Sequence, residues 1–231
     1  MRRLVTLLLL SATAHAHAAR PFVTDDARIV DPGGGQIETF YKRQRAYRES
    51  ECWFLPAINP GPAVAGGRME FTLGRYWQDS TMPGDNQATL AQVKSLLKPL
   101  ETNGHGFALT VGAARVAPFQ AAHAWNPYLN GIGSASFADD RFVLHVNVGG
   151  IRDRPANSSR ATFGTGAEIM LVEPRLIGIV ETYGQSGEKP TFHTGLRIWV
   201  MPNRWQVDTT VGRQKSGPEH RFYTVGMRFL F

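Results

Sequence analysis

The sequence has a single cysteine, Cys52, in 231 residues. That excludes an intramolecular disulfide framework and any four-cysteine zinc site. Charge is also scarce: Asp, Glu, Lys and Arg make up 19% of the chain, below the roughly one quarter usual in soluble domains. Apolar residues, at 42%, are too many for a disordered tail. No apolar run approaches the roughly 18 residues that a membrane-crossing helix needs. Long Lys/Arg blocks and interleaved aromatic modules are absent, which argues against nucleic acid as a partner.

What is present begins with a leader. Arg2 and Arg3 precede an apolar stretch at residues 4–10 and two overlapping A-x-A sites, Ala14-His15-Ala16 and Ala16-His17-Ala18. This layout predicts a signal peptide over 1–18 and an exported mature chain. Formal charge is +6 overall and +4 without Arg2 and Arg3. The densest basic cluster, Lys42, Arg43, Arg45 and Arg48, reads either as a solvated strand end or as a magnet for anionic lipid headgroups.

From residue 36 onward the pattern has period two, broken by Gly, Pro, Asn, Asp and Ser clusters. Phe142, Leu144, Val146 and Val148 alternate with Val143, His145, Asn147 and Gly149; Phe192, Leu196, Ile198 and Val200 oppose His193, Gly195 and Arg197. About twelve such segments can be counted, near 36–46, 52–59, 68–78, 89–97, 106–115, 124–137, 141–152, 161–171, 176–184, 191–200, 205–213 and 221–231. Pro56 weakens the second. Most have the 9 to 11 residues a tilted strand needs to cross a bilayer.

The polar face of these segments is rich in Gly, Thr, Asn and Gln rather than Lys and Glu, as suits a wet interior and an apolar exterior. The fold expected is therefore all-β: a transmembrane, antiparallel, up-and-down β-barrel of about 12 strands, with 10 or 14 as alternatives, in the bacterial outer membrane with both chain ends in the periplasm. Residues 19–35 would form a periplasmic segment or a plug, and 36–231 the barrel. Links at 138–140, 172–175 and 201–204 are shorter than those between them, as periplasmic turns should be. Phe40, Tyr41, Trp53, Tyr76, Trp77, Trp125, Phe137, Phe142, Phe163, Tyr183, Phe192, Trp199, Trp205 and Tyr223 lie near strand ends, and are expected to form two interfacial girdles.

The chain closes on Thr224-Val225-Gly226-Met227-Arg228-Phe229-Leu230-Phe231. This resembles the terminal signal by which barrel-assembly machinery recognises outer-membrane proteins, with Thr224, Gly226, Phe229 and Phe231 at its defining positions. Physically, it offers an edge strand for β-augmentation.

The opening of the mature chain, from Ala19-Arg20-Pro21-Phe22-Val23-Thr24-Asp25-Asp26 through Pro32 and Gly33-Gly34-Gly35-Gln36-Ile37-Glu38-Thr39, resembles a bacterial family, the MetA-pathway phenol-degradation group. The resemblance implies a porin-like outer-membrane barrel. It also implies small, hydrophobic or aromatic solutes, by genomic association alone, and transfers no site residues.

Strand parity sends Glu70, His145, Asn147, Glu168, His193, Arg197, Asp208 and Arg228 to the interior, with Lys94 and Glu181 less securely placed. Charged groups facing lipid would be costly, so their common parity matters. Two readings follow: a polar conduit or solute pocket, or an internal ion-pair network that fills the barrel and conducts nothing. The expected function is a porin-like channel or transporter, not an enzyme, with outer-membrane lipids, the assembly machinery and small solutes as partners. Alternatives are a lipid-modifying hydrolase, since His145 and Asn147 share a face near Ser134 and Ser136, and a structural envelope barrel. No G-x-S-x-G elbow occurs. No cofactor is expected, and dispersed histidines without His-x-x-x-His spacing argue against a metal. The Asp25-Asp26 pair reads as a capped turn before a cation site.

Overall fold

A computed structural model of the chain describes residues 23–44, 50–79, 86–117, 125–154, 156–214 and 220–231. The leader expected at 1–18, and Arg45 and Arg48 of the basic cluster, lie outside the described residues. Twelve strands follow one another: β1 (Gly35–Gln44), β2 (Ser50–Ile58), β3 (Met69–Asp79), β4 (Asn86–Lys98), β5 (His105–Ala117), β6 (Trp125–Phe137), β7 (Phe142–Asp153), β8 (Ser158–Val172), β9 (Leu176–Gln185), β10 (Thr191–Met201), β11 (Trp205–Gln214) and β12 (Arg221–Leu230). Each pairs antiparallel with its sequence neighbours, and β12 closes on β1 through a register that includes Gln36↔Leu230 and Gln44↔Phe222. Closure leaves no unpaired sheet edge.

Period-two patterning gives each strand two chemically distinct faces. In β12, Tyr223, Val225, Met227 and Phe229 are exposed while Phe222, Thr224, Gly226 and Arg228 are buried. The same split in β10 exposes Phe192, Leu196, Ile198 and Val200 and buries His193 and Arg197. Thr194, the one hydroxyl on that outward row, donates to Ile179 O at 3.0 Å, so it presents no bare donor to the apolar surroundings. An apolar outside and a polar inside invert the soluble pattern, as in barrels that cross membranes. No helix among the described residues is long and apolar enough to span a membrane; the strands do the crossing.

One end of the barrel carries the short turns after β6, β8 and β10, together with the start of β1 and the end of β12. It is called the lower end here. Pro56 does not exclude β2 from the sheet: it is paired with Ile37 of β1. The ladder to β3 instead lapses between Phe54↔Arg75 and Ala57↔Thr72, because proline brings no N–H to one side.

The two aromatic girdles need a correction. Phe40, Trp53 and Tyr76 point inward in a row, Phe40 stacked on Trp53 with ring centres 5.8 Å apart and Tyr76 tilted against Trp53 at 4.5 Å. Trp199 is buried with Ile177 and Ile179, against Met170 and Leu230, in an apolar cluster inside the lower end. Tyr183 also has inward parity, as its partner Thr191 is buried. Large rings at these positions fill the space inside the wall, leaving the outward belt to residues such as Trp125, Phe137, Phe142, Phe163, Trp205 and Tyr223.

Candidate functional site

The chain's own residues 23–34 form an inner segment: 24–30 are buried or half-buried inside the barrel, and the exposed 31–33 lead round the lower end to β1 at Gly35. At the top of this path the N–H groups of Val23 and Thr24 donate to the Glu181 carboxylate, at 3.0 and 3.1 Å from Val23 and 2.8 Å from Thr24. His193 Nδ1 lies 2.5 Å from the same carboxylate, and its Nε2 meets Thr210, which in turn meets Thr224. Gly164 makes room here: a Cβ on it would stand 2.7 Å from Thr24 Oγ1.

One residue down, Asp25 and Asn147 are matched reciprocally. The Asp25 N–H donates to Asn147 Oδ1 at 2.8 Å, and Asn147 Nδ2 donates to Asp25 O at 2.8 Å. The amide side chain thus mimics a strand partner for a segment that has none. Lys94 donates to Asp25 at 2.8 Å and lies 3.5 Å from Asp26. Asp25 Oδ1 also accepts from the Asp26 N–H, and Asp26 Oδ1 from the Arg28 N–H, the local turn that Asp-Asp favours. Among the described residues no cluster of metal-ligating side chains occurs.

Beneath lies a network of buried charge. Arg197 donates through Nε to Asp208 at 3.0 Å and through a second nitrogen to Glu168. Arg28 comes within 3.8 Å of Glu168 from the inner segment. Arg228 lies 3.5 Å from Glu38 and donates to Gln36. Lower still, the Val30 N–H donates to Glu70 at 2.8 Å. Buried charges persist only when paired and bonded, and each of the eight interior positions read from parity sits in this network or against the segment.

Ser134, His145 and Glu168 form a Ser–His–acid row: Ser134 Oγ is 2.8 Å from His145 Nδ1, and His145 Nε2 is 3.9 Å from Glu168. A nucleophile also needs an open approach for its substrate. Here the serine is buried and its oxygen accepts the Ala27 N–H at 2.9 Å, so the inner segment stands where an acyl group would have to sit.

Two spaces flank the segment. Above it a recess of about 410 Å³ has Val23 and Thr24 on its floor and Tyr128, Asn130, Tyr183 and Gln214 in its walls. Between Asp25, Asp26 and Arg28 of the segment and Glu70, Lys94 and Arg228 of the wall, only about 30 Å³ is left, room for about one water molecule.

Several participants escaped the sequence reading. Gln36, Glu38 and Thr210 have the parity of interior residues, so alternation could have found them. Asn59 could not be found that way, because it lies past the end of β2. Thr224 and Gly226 of the terminal signal face inward, while Phe229 and Phe231 are exposed with ring centres 6.3 Å apart; a Cβ on Gly35 would strike the Phe231 ring at 2.7 Å.

The architecture has relatives among solved structures. The KdgM porin, solved in complex with disordered oligogalacturonate, superposes with a TM-score of 0.60 at 13% identity, covering 84% of this chain and 98% of that one. The COG4313 outer membrane channel from Pseudomonas putida F1 gives 0.56 at 11%, covering 89% and 98%. The β domain of the Bordetella autotransporter BrkA gives 0.53 at 15%, covering 87% and 100%. At such identities the likeness is one of fold: a closed 12-stranded barrel of the bacterial outer-membrane type. No curated protein matches the chain. The family model that matches carries a different description from the MetA-pathway group that the mature opening resembles. It covers residues 5–231, and the chain belongs to the family described as Uncharacterised conserved protein UCP029691.

Proposed function

We propose that this barrel is an outer-membrane channel for small hydrophilic solutes, closed in the state described by its own residues 23–34. The observation that carries the reading is the manner in which the upper part of the segment is held. Its contacts with Glu181, Asn147, Ser134 and Lys94 are polar, so water can replace the segment at each of them. Net exchange of such bonds costs about 0.5–1.5 kcal/mol for the neutral ones and about 1.5–3 kcal/mol where one partner is charged, which makes the segment a removable stopper. The wall it would uncover is hydrophilic. The apolar solutes implied by the family resemblance would need an apolar lining, and the larger apolar grooves of this barrel lie on its outer face. Export past residue 18 and delivery by the assembly machinery, through the exposed Phe229 and Phe231, belong to the same reading.

A second reading, an envelope barrel with a permanently packed interior, draws on the apolar cluster of Ile177, Ile179 and Trp199 that narrows the lower end. Planar-bilayer recording separates the two. The whole mature protein is expected to show rare, brief openings, and a variant lacking residues 20–31 a sustained conductance. A deletion variant that folds, judged by heat-modifiable gel migration, yet stays silent would leave only the packed barrel.

A further inference from the structure

The basic cluster read from the sequence is divided by the barrel wall. Lys42 points inward, where it donates to Glu51 at 3.1 Å and lies 5.0 Å from the centre of the Phe222 ring. Arg43 points outward, and the closure of β1 on β12 brings it beside two more outward arginines. Arg213 of β11 and Arg221 of β12 are direct cross-strand partners. Arg43 is paired with Tyr223, the next outward residue along β12. Like charges directly opposite one another destabilise a sheet, and among the described residues no carboxylate is bonded to any of the three. Two other arginines on the outward rim are provided for: Arg75 donates to Thr89 at 3.0 Å and Gln87 at 2.5 Å, and Arg152 to Ser159 at 3.2 Å and to Asn157. Among the described residues, three arginines without a bonded carboxylate thus gather where β11, β12 and β1 meet.

The location along the barrel is equally specific. The pair Arg213↔Arg221 stands eight residues along the strands from the pair Trp205↔Phe229 near the lower end. That is about 26 Å of extended strand, or roughly 20 Å of membrane depth at a tilt of about 40°. The arginines thus mark the upper border of the apolar band, the height of outer-leaflet headgroups if the short-turn end is periplasmic. A lipid-facing arginine is far costlier at the midplane than at such a border. Directly below them runs an outward groove of about 800 Å³, walled by Val180, Phe192, Val211 and Tyr223, with the short Thr194 side chain keeping its floor low.

We propose that this groove and its three arginines bind a phosphorylated glycolipid of the outer leaflet, with phosphate at the guanidinium groups and an acyl chain along the apolar floor. Planar guanidinium groups match phosphate oxygens in paired hydrogen bonds, and a phosphate dianion between Arg213 and Arg221 converts their mutual repulsion into attraction. The groove supplies what a free phosphate would not use. The site lies on the opposite side of the wall from the stopper and does not depend on channel activity.

The test uses the whole mature protein folded in detergent, titrated with bisphosphorylated lipid A and read by native mass spectrometry. Retention of the lipid is expected, falling at least about tenfold in the double variant Arg213→Ala/Arg221→Ala. Arg75→Ala, whose side chain is bonded to its neighbours, should bind as the parent does. The double lysine variant Arg213→Lys/Arg221→Lys keeps the charge but loses the planar fork, and should fall between. Equal retention of lipid A stripped of both phosphates, or equal retention of phosphatidylglycerol, overturns the proposal, as does full retention by the double alanine variant. Folding is checked by gel migration; if the alanine pair does not fold, the lysine pair and the dephosphorylated lipid decide the matter. Conductance recorded in parallel should be unchanged by the arginine substitutions, so failure here is distinguishable from failure of the channel reading.

Discussion

The two ends of the inner segment are held by different chemistry. At the lower end the bonds are largely backbone to backbone: the Gly33 N–H donates to Asn59 O at 3.0 Å, the Asn59 N–H to Gly34 O at 3.0 Å, and Gly35 and Phe231 exchange bonds at 2.8 and 3.0 Å. The buried Asn59 amide donates to the carbonyls of Val30 and Gly67, both at 2.8 Å. Ile29 and Val30 are buried beside it. At the upper end the wall contributes side chains instead, a carboxylate, an amide, a hydroxyl and an ammonium. The lower end is thus an extension of the barrel seam, and the upper end is a latch. Any excursion of the segment pivots near Gly33, whose φ of +85° glycine adopts without strain.

Three substitutions sharpen that contrast. Asn59→Ala should be the most damaging, because it strands two buried carbonyls at the fixed end; a loss of about 3 kcal/mol is expected, read as a lower denaturant midpoint of the folded barrel, with little change in conductance. Glu181→Gln at the latch replaces charge-assisted bonds to two N–H groups by weaker neutral ones, worth about 1–2 kcal/mol. On the channel reading the latch holds the closed state, so that should raise open probability in bilayers about tenfold while lowering the denaturant midpoint less than Asn59→Ala does. Gly164→Ala crowds Thr24 from behind, at about 1 kcal/mol, and should give a smaller rise in open probability. Equal stability losses from Asn59→Ala and Glu181→Gln, with silence from both, would erase the distinction between anchor and latch.

How far the sequence reaches follows from what each surface must satisfy. The outward side chains of β7, β10 and β12 all face one apolar medium, so alternation declares them in a single string of letters. Twelve strands could be placed within a few residues of their ends for that reason, and β2 despite Pro56, since the loss of an N–H disturbs one ladder and spares the other. Aromatic residues near strand ends carry no such declaration: Phe40, Trp53 and Tyr76 serve packing inside the wall as readily as a girdle outside it, and in β2 both faces are apolar enough to blur parity. The contacts of residues 23–34 are the least legible. Thr24 meets a carboxylate 157 residues away and Asp25 an amide 122 residues away, and nothing periodic in this stretch encodes its partners. They are set by the closed shape of the wall, which parity predicts only as two faces and not as a cavity.

The bonds between Gly35 and Phe231 belong at once to the seam of the cylinder and to the foot of the segment inside it. A barrel still unzipped between its first and final strands lacks the Phe231 bonds at the foot of the segment, so on the channel reading the sealing of the wall completes the seating of the stopper. On the same reading, a newly inserted molecule would remain leaky for as long as that join is incomplete, and would fall quiet on finishing its own assembly.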